Sequence, residues 1–283
     1  MADIFAVGIV GAGTMGGGLA EVAARAGHDV VLCSRSRANA QAAVATLAAG
    51  LERHVVKGRL TADERDATLA RISVTDAIAD LADCDLVIES VVEDMPTKRA
   101  LFAELDAAVK PGAILATNTS TLPVVELAMA TARPELVCGI HFFNPAPTMP
   151  LVEIVQPLTA SATTIDRAQG FAERCGKEPI IVADHAGFVV NALLFPYLNN
   201  AVRMAERGTA SIESIDGAMC GGCGFPMGPF ALLDLVGLDT SVAILDALHA
   251  EFGDANYVAA PTLRRMVSAG RLGRKTRSGF YQY

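Results

Sequence analysis

Short apolar runs punctuate the first two thirds of the chain: Phe5–Val10, Asp29–Cys33, Asp85–Glu89, Ala113–Thr117, Val137–Phe142, Leu151–Val155 and Pro179–Val182. Several are rich in Val, Ile and Leu without polar alternation, the pattern of strands buried on both faces. Segments of helical spacing lie between many of them, as in Thr97–Val109. Alternation of strand and helix predicts an α/β unit with a doubly wound, mostly parallel sheet. The last strands follow one another with little helix between, which points to an antiparallel edge.

The pattern changes after Asp184. No strand is expected from Gly187 until the tail, and helices are expected at Gly187–Arg207, Ser211–Met219, Pro229–Val236, Thr240–Phe252 and Pro261–Ala269. Pro196 falls inside the first of these and should kink it. The chain is therefore read as two domains, 1–184 and 185–283, the second all-helical.

Composition narrows the class. With 283 residues, 52% hydrophobic and 19% charged, the chain can bury a sizeable core and reads as globular. No apolar run reaches the roughly 18 residues of a membrane span, and the N-terminus reads as a first strand of a cytoplasmic protein. A net charge of -8 argues against nucleic acid or an anionic membrane as partner. The cysteines Cys33, Cys84, Cys138, Cys175, Cys220 and Cys223 are scattered and read as reduced core residues. Cys220 and Cys223 form a CxxC without the second pair or histidines a zinc site needs, so no metal is expected.

Gly11-Ala-Gly13-Thr14-Met15-Gly16 follows the first strand and opens a helix that runs to Arg25 or Ala26 and stops at Gly27. The first glycine permits the tight turn, the second lets a pyrophosphate approach the backbone, and the third packs helix on strand. The helix N-terminus offers free N–H groups and a positive dipole end. A second strand follows directly, which completes a Rossmann-like context, so dinucleotide binding is expected rather than an empty glycine-rich turn. The end of that second strand ordinarily carries an acid for the ribose hydroxyl of NAD. Here it reads Cys33-Ser34-Arg35-Ser36-Arg37, with donors for a 2′-phosphate and no carboxylate to repel it. NADP(H) is favoured over NAD(H) on that ground; the alternative is a solvated loop.

Gly139-Ile-His141-Phe-Phe-Asn144-Pro-Ala-Pro places a histidine at the carboxyl end of a strand, where open α/β sheets bind ligands. Glu153 lies in the next strand, close enough to pair with His141 across a proline-rich turn. A carboxylate orients an imidazole and favours its charged form, which suits a group that takes a proton from an alcohol. A hydrogen-bonded structural histidine is the plainer alternative. His28, His54, His185 and His249 carry no motif and are read as surface or capping residues.

Seven ordered stretches resemble the 3-hydroxyacyl-CoA dehydrogenase family, of the short monofunctional 3-hydroxybutyryl-CoA type, over nearly the whole chain. They are VGIVGAGTMGGGLAEVAARAGHDVVL, LVIESVVEDMPTKRALFAELD, ILATNTSTLPVVELA, GIHFFNPAPTMPLVEIVQ, GFVVNALLFPYLNNAVRM, GFPMGPFALLDLVGLD and GRKTRSGFYQY. The resemblance implies hydride exchange between a nicotinamide cofactor and a 3-hydroxyacyl-CoA, with His141 as acid–base group and Glu153 as its partner. It further implies that Ser120 and Asn191 contact substrate, with Asn144 behind them. Asn118, Glu93, Lys98 and Lys275 resemble residues near the cofactor, and Lys57 matches loosely a basic segment that holds CoA. A homodimer through the helical domain is implied as well. By residue type alone, Ser120 could cap a helix near Leu122, Asn191 could be a satisfied core polar group, and Glu93 with Lys98 could be a local helical ion pair. The chain departs from the family at Ser34, where an acid is usual, at Pro150, where lysine is common, and at Ala192, where arginine is common. The acyl carrier, CoA or acyl-carrier protein, is left open by the last two. Rival readings are a related β-hydroxyacid dehydrogenase with a lysine base, and a non-catalytic nucleotide-binding or structural dimer.

Overall fold

Eight strands form one sheet in the order β3-β2-β1-β4-β5-β6-β7-β8. They are β1 Ala6–Val10, β2 Asp29–Cys33, β3 Ile72–Thr75, β4 Leu86–Glu89, β5 Ile114–Thr117, β6 Val137–Phe142, β7 Leu151–Gln156 and β8 Glu178–Ala183. All neighbours from β3 to β6 are parallel; β7 is antiparallel to β6, and β8 runs parallel to β7. The expected antiparallel turn is thus one strand in from the edge, because the helix α6 (Ala162–Arg174) carries the chain back between β7 and β8. Strand β3 was not expected: it has four residues, Ile-Ser-Val-Thr, at the open edge of the sheet, too short and too mixed to stand out.

The computed structural model describes residues 4–283, which divide into two units that part between Asp184 and His185. In the first, α1 (Thr14–Arg25) returns from the glycine-rich turn to β2, and α2 (Arg37–Val56) and α3 (Ala62–Ala70) connect β2 to β3. Helix α4 (Met95–Ala108) connects β4 to β5, and the short α5 (Val124–Ala128) precedes β6. The core joins Val7, Ile9, Leu32, Ile88, Ile140 and Ile154 of the sheet to Leu19, Leu51 and Phe171 of the helices. Fully buried strands explain the runs without alternation.

His28 corrects the expectation of a surface or capping residue. It is buried and its ring lies 5.2 Å from that of Phe171. Burial holds its imidazole below the ordinary range, Arg174 adds to this, and the carbonyls of Phe5 and Ile4 oppose it. The cysteines divide similarly: Cys33, Cys84 and Cys138 are core residues, whereas Cys223 is exposed at the end of the helix Ile212–Cys223.

The second unit holds α7 (Val190–Glu206), α8 (Ile212–Cys223), α9 (Pro229–Val236), α10 (Leu238–Phe252) and α11 (Pro261–Ser268). Helix α7 starts three residues later than expected, because Gly187 and Phe188 both have positive φ, at 73° and 49°. Phe195, Leu198, Phe230, Leu233, Leu245 and Leu248 form its core. Two buried acids tie down the tail. Asp216 accepts N–H bonds from Phe230 and Ala231 and the hydroxyl of Tyr281; Asp234 accepts from Phe280 and Tyr281 N–H. Among the described residues no helix is long and apolar enough to cross a membrane.

Candidate active site

Chain order reverses at β1, with β2 on one side and β4 on the other. Ligands of open α/β sheets bind at such a switch point, beyond the carboxyl ends of the strands. The glycine-rich turn lies there, and its three glycines do different work. A Cβ on Gly11, at φ 119°, would stand 2.2 Å from the Ser90 carbonyl oxygen, and one on Gly16 1.8 Å from that of Gly11. A Cβ on Gly13 would meet nothing within 4 Å. Two glycines close the turn and the third leaves it open to a diphosphate, so these residues fit a dinucleotide.

Strand register sets out the rest. Val10, Glu89, Thr117 and Gly139 stand in one row across β1, β4, β5 and β6. His141 is two residues beyond that row and pairs directly with Glu153 on β7. Their side chains meet: His141 Nδ1 lies 2.8 Å from Glu153 Oε2, with both residues buried. On the other side of the ring, Ser120 Oγ lies 3.1 Å from Nε2. The Phe143 ring packs 4.6 Å from the imidazole. Ser120 is not the cap of α5, whose first N–H groups, at Val124 and Val125, donate to Asp184. Asn118 braces the same region, since its Oδ1 accepts the Phe142 N–H at 2.8 Å.

A charge cluster, buried at Lys98 and Glu89 and open at Glu93, lies behind Ser120, and sequence reasoning found only part of it. Lys98 is 1% exposed; its ammonium donates to Glu89 at 2.6 Å and pairs with Glu93 at 3.2 Å. Glu89, fully buried, also accepts from the Val91 N–H and the Thr117 hydroxyl. Glu93 accepts from the N–H groups of Ser120 and Thr121 and from the Thr119 hydroxyl. Burial pushes the Glu93 carboxyl up, but Lys98 and these donors outweigh it and hold it below its usual range. Glu93 precedes α4, so its pairing with Lys98 is not an intrahelical bridge. The signal that was available is Glu89 itself, an acid closing the apolar strand Leu-Val-Ile-Glu.

The remaining candidates are dispersed. Ser34 is half-buried at the end of β2 and Arg35 is exposed. Arg37 donates to the Val74 carbonyl, and Ser36 caps α2 through the Asn39 N–H. Asn144 is exposed in the β6–β7 loop, and Lys57 is exposed at the end of α2. In the second unit, Asn191 is buried in the first turn of α7, and Lys275 pairs with Asp239 at 2.6 Å.

A glycine-rich dinucleotide turn joined to a carboxylate–imidazole–hydroxyl set defines the class of nucleotide-dependent oxidoreductases that move a proton and a hydride together. Residues 6–185 match the 3-hydroxyacyl-CoA dehydrogenase NAD binding domain, and residues 187–283 match the C-terminal domain of the same family. A 3-hydroxybutyryl-CoA dehydrogenase of Mycobacterium tuberculosis is 47% identical over 98% of each chain. One from Clostridioides difficile is 45% identical over 97% of this chain and 98% of its own. The crystal structure of (S)-3-hydroxybutyryl-CoA dehydrogenase from Ralstonia eutropha superposes with a TM-score of 0.96 at 43% identity, covering 99% of both chains. The chain belongs to the 3-hydroxyacyl-CoA dehydrogenase family and is an oxidoreductase of that class.

Proposed function

We propose that the protein interconverts (S)-3-hydroxyacyl-CoA and 3-oxoacyl-CoA, with 3-hydroxybutyryl-CoA as the natural size of substrate. The observation that carries this reading is His141 held between Glu153 and Ser120 at the carboxyl edge of the parallel strands. A bound nicotinamide supplies the hydride acceptor. His141 Nε2 takes the hydroxyl proton in the oxidative direction, while Nδ1–H stays bonded to Glu153. The buried carboxylate stabilises the imidazolium that forms. In the reductive direction the same imidazolium returns the proton. Ser120 orients the reacting oxygen, and its own N–H is fixed by Glu93. Asn191, with Asn144 as a supporting residue, completes substrate contact in this proposal, and Lys57 meets the CoA end.

The dinucleotide is bound by Gly11, Gly13, Thr14, Met15 and Gly16, with Asn118, Glu93, Lys98 and Lys275 as further contributors. NADP(H) is proposed over NAD(H), because Ser34, Arg35 and Arg37 follow β2 without a carboxylate among them. One charge-assisted bond of about 1.5–3 kcal/mol corresponds to a preference of roughly ten- to a hundred-fold. A homodimer through the helical unit is part of the proposal; its surface carries Leu193, Phe225, Leu235 and Phe252, each more than 40% exposed. Sedimentation at micromolar concentration checks it.

The test is acetoacetyl-CoA reduction with NADPH and with NADH, in wild type, His141→Gln and Ser34→Asp. His141→Gln should lower kcat by roughly 10²–10⁴-fold. Ser34→Asp should move kcat/KM towards NADH. Near-wild-type turnover without the imidazole refutes the acid–base assignment; a wild-type preference for NADH that Ser34→Asp leaves unmoved refutes the cofactor assignment.

A further inference from the structure

The loop that joins the two catalytic strands contains Pro145, Pro147 and Pro150. Proline accepts hydrogen bonds but cannot donate one. The loop is therefore rich in carbonyls and poor in N–H groups to satisfy them. Two of its own donors, Thr148 and Met149 N–H, both go to the Pro145 carbonyl, and the Pro150 carbonyl is served by the Glu178 N–H. The carbonyls of Ala146, Pro147 and Met149 have one donor in common. Lys177, between α6 and β8, is 9% exposed, and its Nζ lies 2.7 Å, 3.4 Å and 2.9 Å from these three oxygens. An ammonium carries three hydrogens on a flexible stem, so one residue replaces the donors that the prolines removed. Burial lowers its basicity below the ordinary lysine range.

What Lys177 holds is the hairpin of His141 and Glu153. The loop begins directly after Phe142, the neighbour of His141, and ends at Pro150, three residues before Glu153. It also lies against the dinucleotide helix, where a Cβ on Gly18 would stand 3.2 Å from Ala146 Cβ and 3.4 Å from Pro147 Cδ. We infer that Lys177 is a positioning residue of the reaction: by clamping three loop carbonyls it fixes the spacing of His141 to Glu153 and to the helix that receives the dinucleotide. This rests on the acid–base reading of that pair. Lys177 touches neither reacting atoms nor the imidazole. Its effect passes through the backbone, and a misplacement of about 1 Å at an active site can cost on the order of a hundred-fold in rate.

Loss of the ammonium should leave the fold intact. A cleft of about 310 Å³ lined by Lys177, Cys175, Pro147 and Arg25 opens beside the ammonium and can admit water there. The variants to compare are Lys177→Met, which keeps the stem and removes the donors, and Lys177→Gln, which keeps two N–H groups. Full-length enzyme is assayed with 3-hydroxybutyryl-CoA and acetoacetyl-CoA, alongside a cofactor titration. Lys177→Met should lose about ten- to a hundred-fold in kcat, with the cofactor dissociation constant within twofold of wild type. Lys177→Gln should fall between. A kcat within twofold of wild type in both variants overturns the inference, as does a cofactor affinity that falls in parallel with kcat. Absent turnover in wild type would instead refute the acid–base reading and is seen before any variant is made.

Discussion

Adding a single methyl at successive glycines of one turn should give three separate outcomes. At Gly13 the backbone sits at φ -76° and ψ -173°, which alanine adopts freely, and the added Cβ meets nothing within 4 Å. Gly13→Ala should fold with a stability within about 0.5 kcal/mol of wild type, the usual range for a surface change free of clashes. The methyl then occupies the path by which a pyrophosphate reaches the backbone, and losing one such bond costs about 1.5–3 kcal/mol, or ten- to a hundred-fold in cofactor affinity. At Gly16 the Cβ falls 1.8 Å from the Gly11 oxygen and 2.8 Å from its carbon. Both are backbone atoms, so the turn itself must move, and overpacking of this kind costs about 1–3 kcal/mol or more. At Gly17 the Cβ again meets nothing. There alanine in place of glycine within α1 should add about 0.5–1 kcal/mol. At roughly 2–4 °C for each kcal/mol in a chain of this size, melting curves separate the three. Cofactor titration followed by NADPH fluorescence supplies the second axis. The reasoning fails if Gly13→Ala binds cofactor normally, or if it loses as much stability as Gly16→Ala.

His28 predicts a pH dependence of stability. Its folded imidazole titrates below the ordinary 6.5, so below that pH the unfolded chain binds a proton that the folded one refuses. Stability should be full above pH 6.5, fall as pH drops through it, and level off below the depressed folded value; urea unfolding between pH 5 and 8 should show His28→Gln with the flatter profile. Lys98→Met removes the counter-ion of Glu89 and Glu93 without changing reach, and stranding a buried charge costs about 3–5 kcal/mol. A loss below about 1 kcal/mol by the same unfolding assay would show that the N–H and hydroxyl donors alone satisfy the two carboxylates.

Most of the fold was legible because its elements carry local marks. Continuous apolar runs placed seven of the strands, and glycine or proline at the ends placed the helices: Pro229–Val236 agrees to the residue, and α1 stops before Gly27 as expected. Strand β3 escaped because an edge strand of four residues has little to bury. His141 and Glu153 were legible through motif and neighbouring strands and Ser120 through the family resemblance alone, and His141 is in contact with both of the others.

What stayed hidden shares one cause. Glu89 and Lys177 were not singled out in the sequence, and Lys98 only together with Glu93, yet all three are buried. A buried charge must be paired or fully hydrogen-bonded, so an acid closing an apolar strand announces that a partner exists without naming it. The partner is set by tertiary geometry: Lys98 reaches Glu89 from the neighbouring helix, and Lys177 reaches a loop 28 to 31 residues away. Proline content points to the second pairing from the other side. A loop with three prolines between two catalytic strands has fewer N–H groups than carbonyls, and in the fold three of those carbonyls are met by one side chain that donates several bonds from one point. Lysine meets that geometry and arginine's planar fork does not. The demand for a multiple donor was therefore written in the loop, while its identity could be read only once β8 was seen to start beside Pro150.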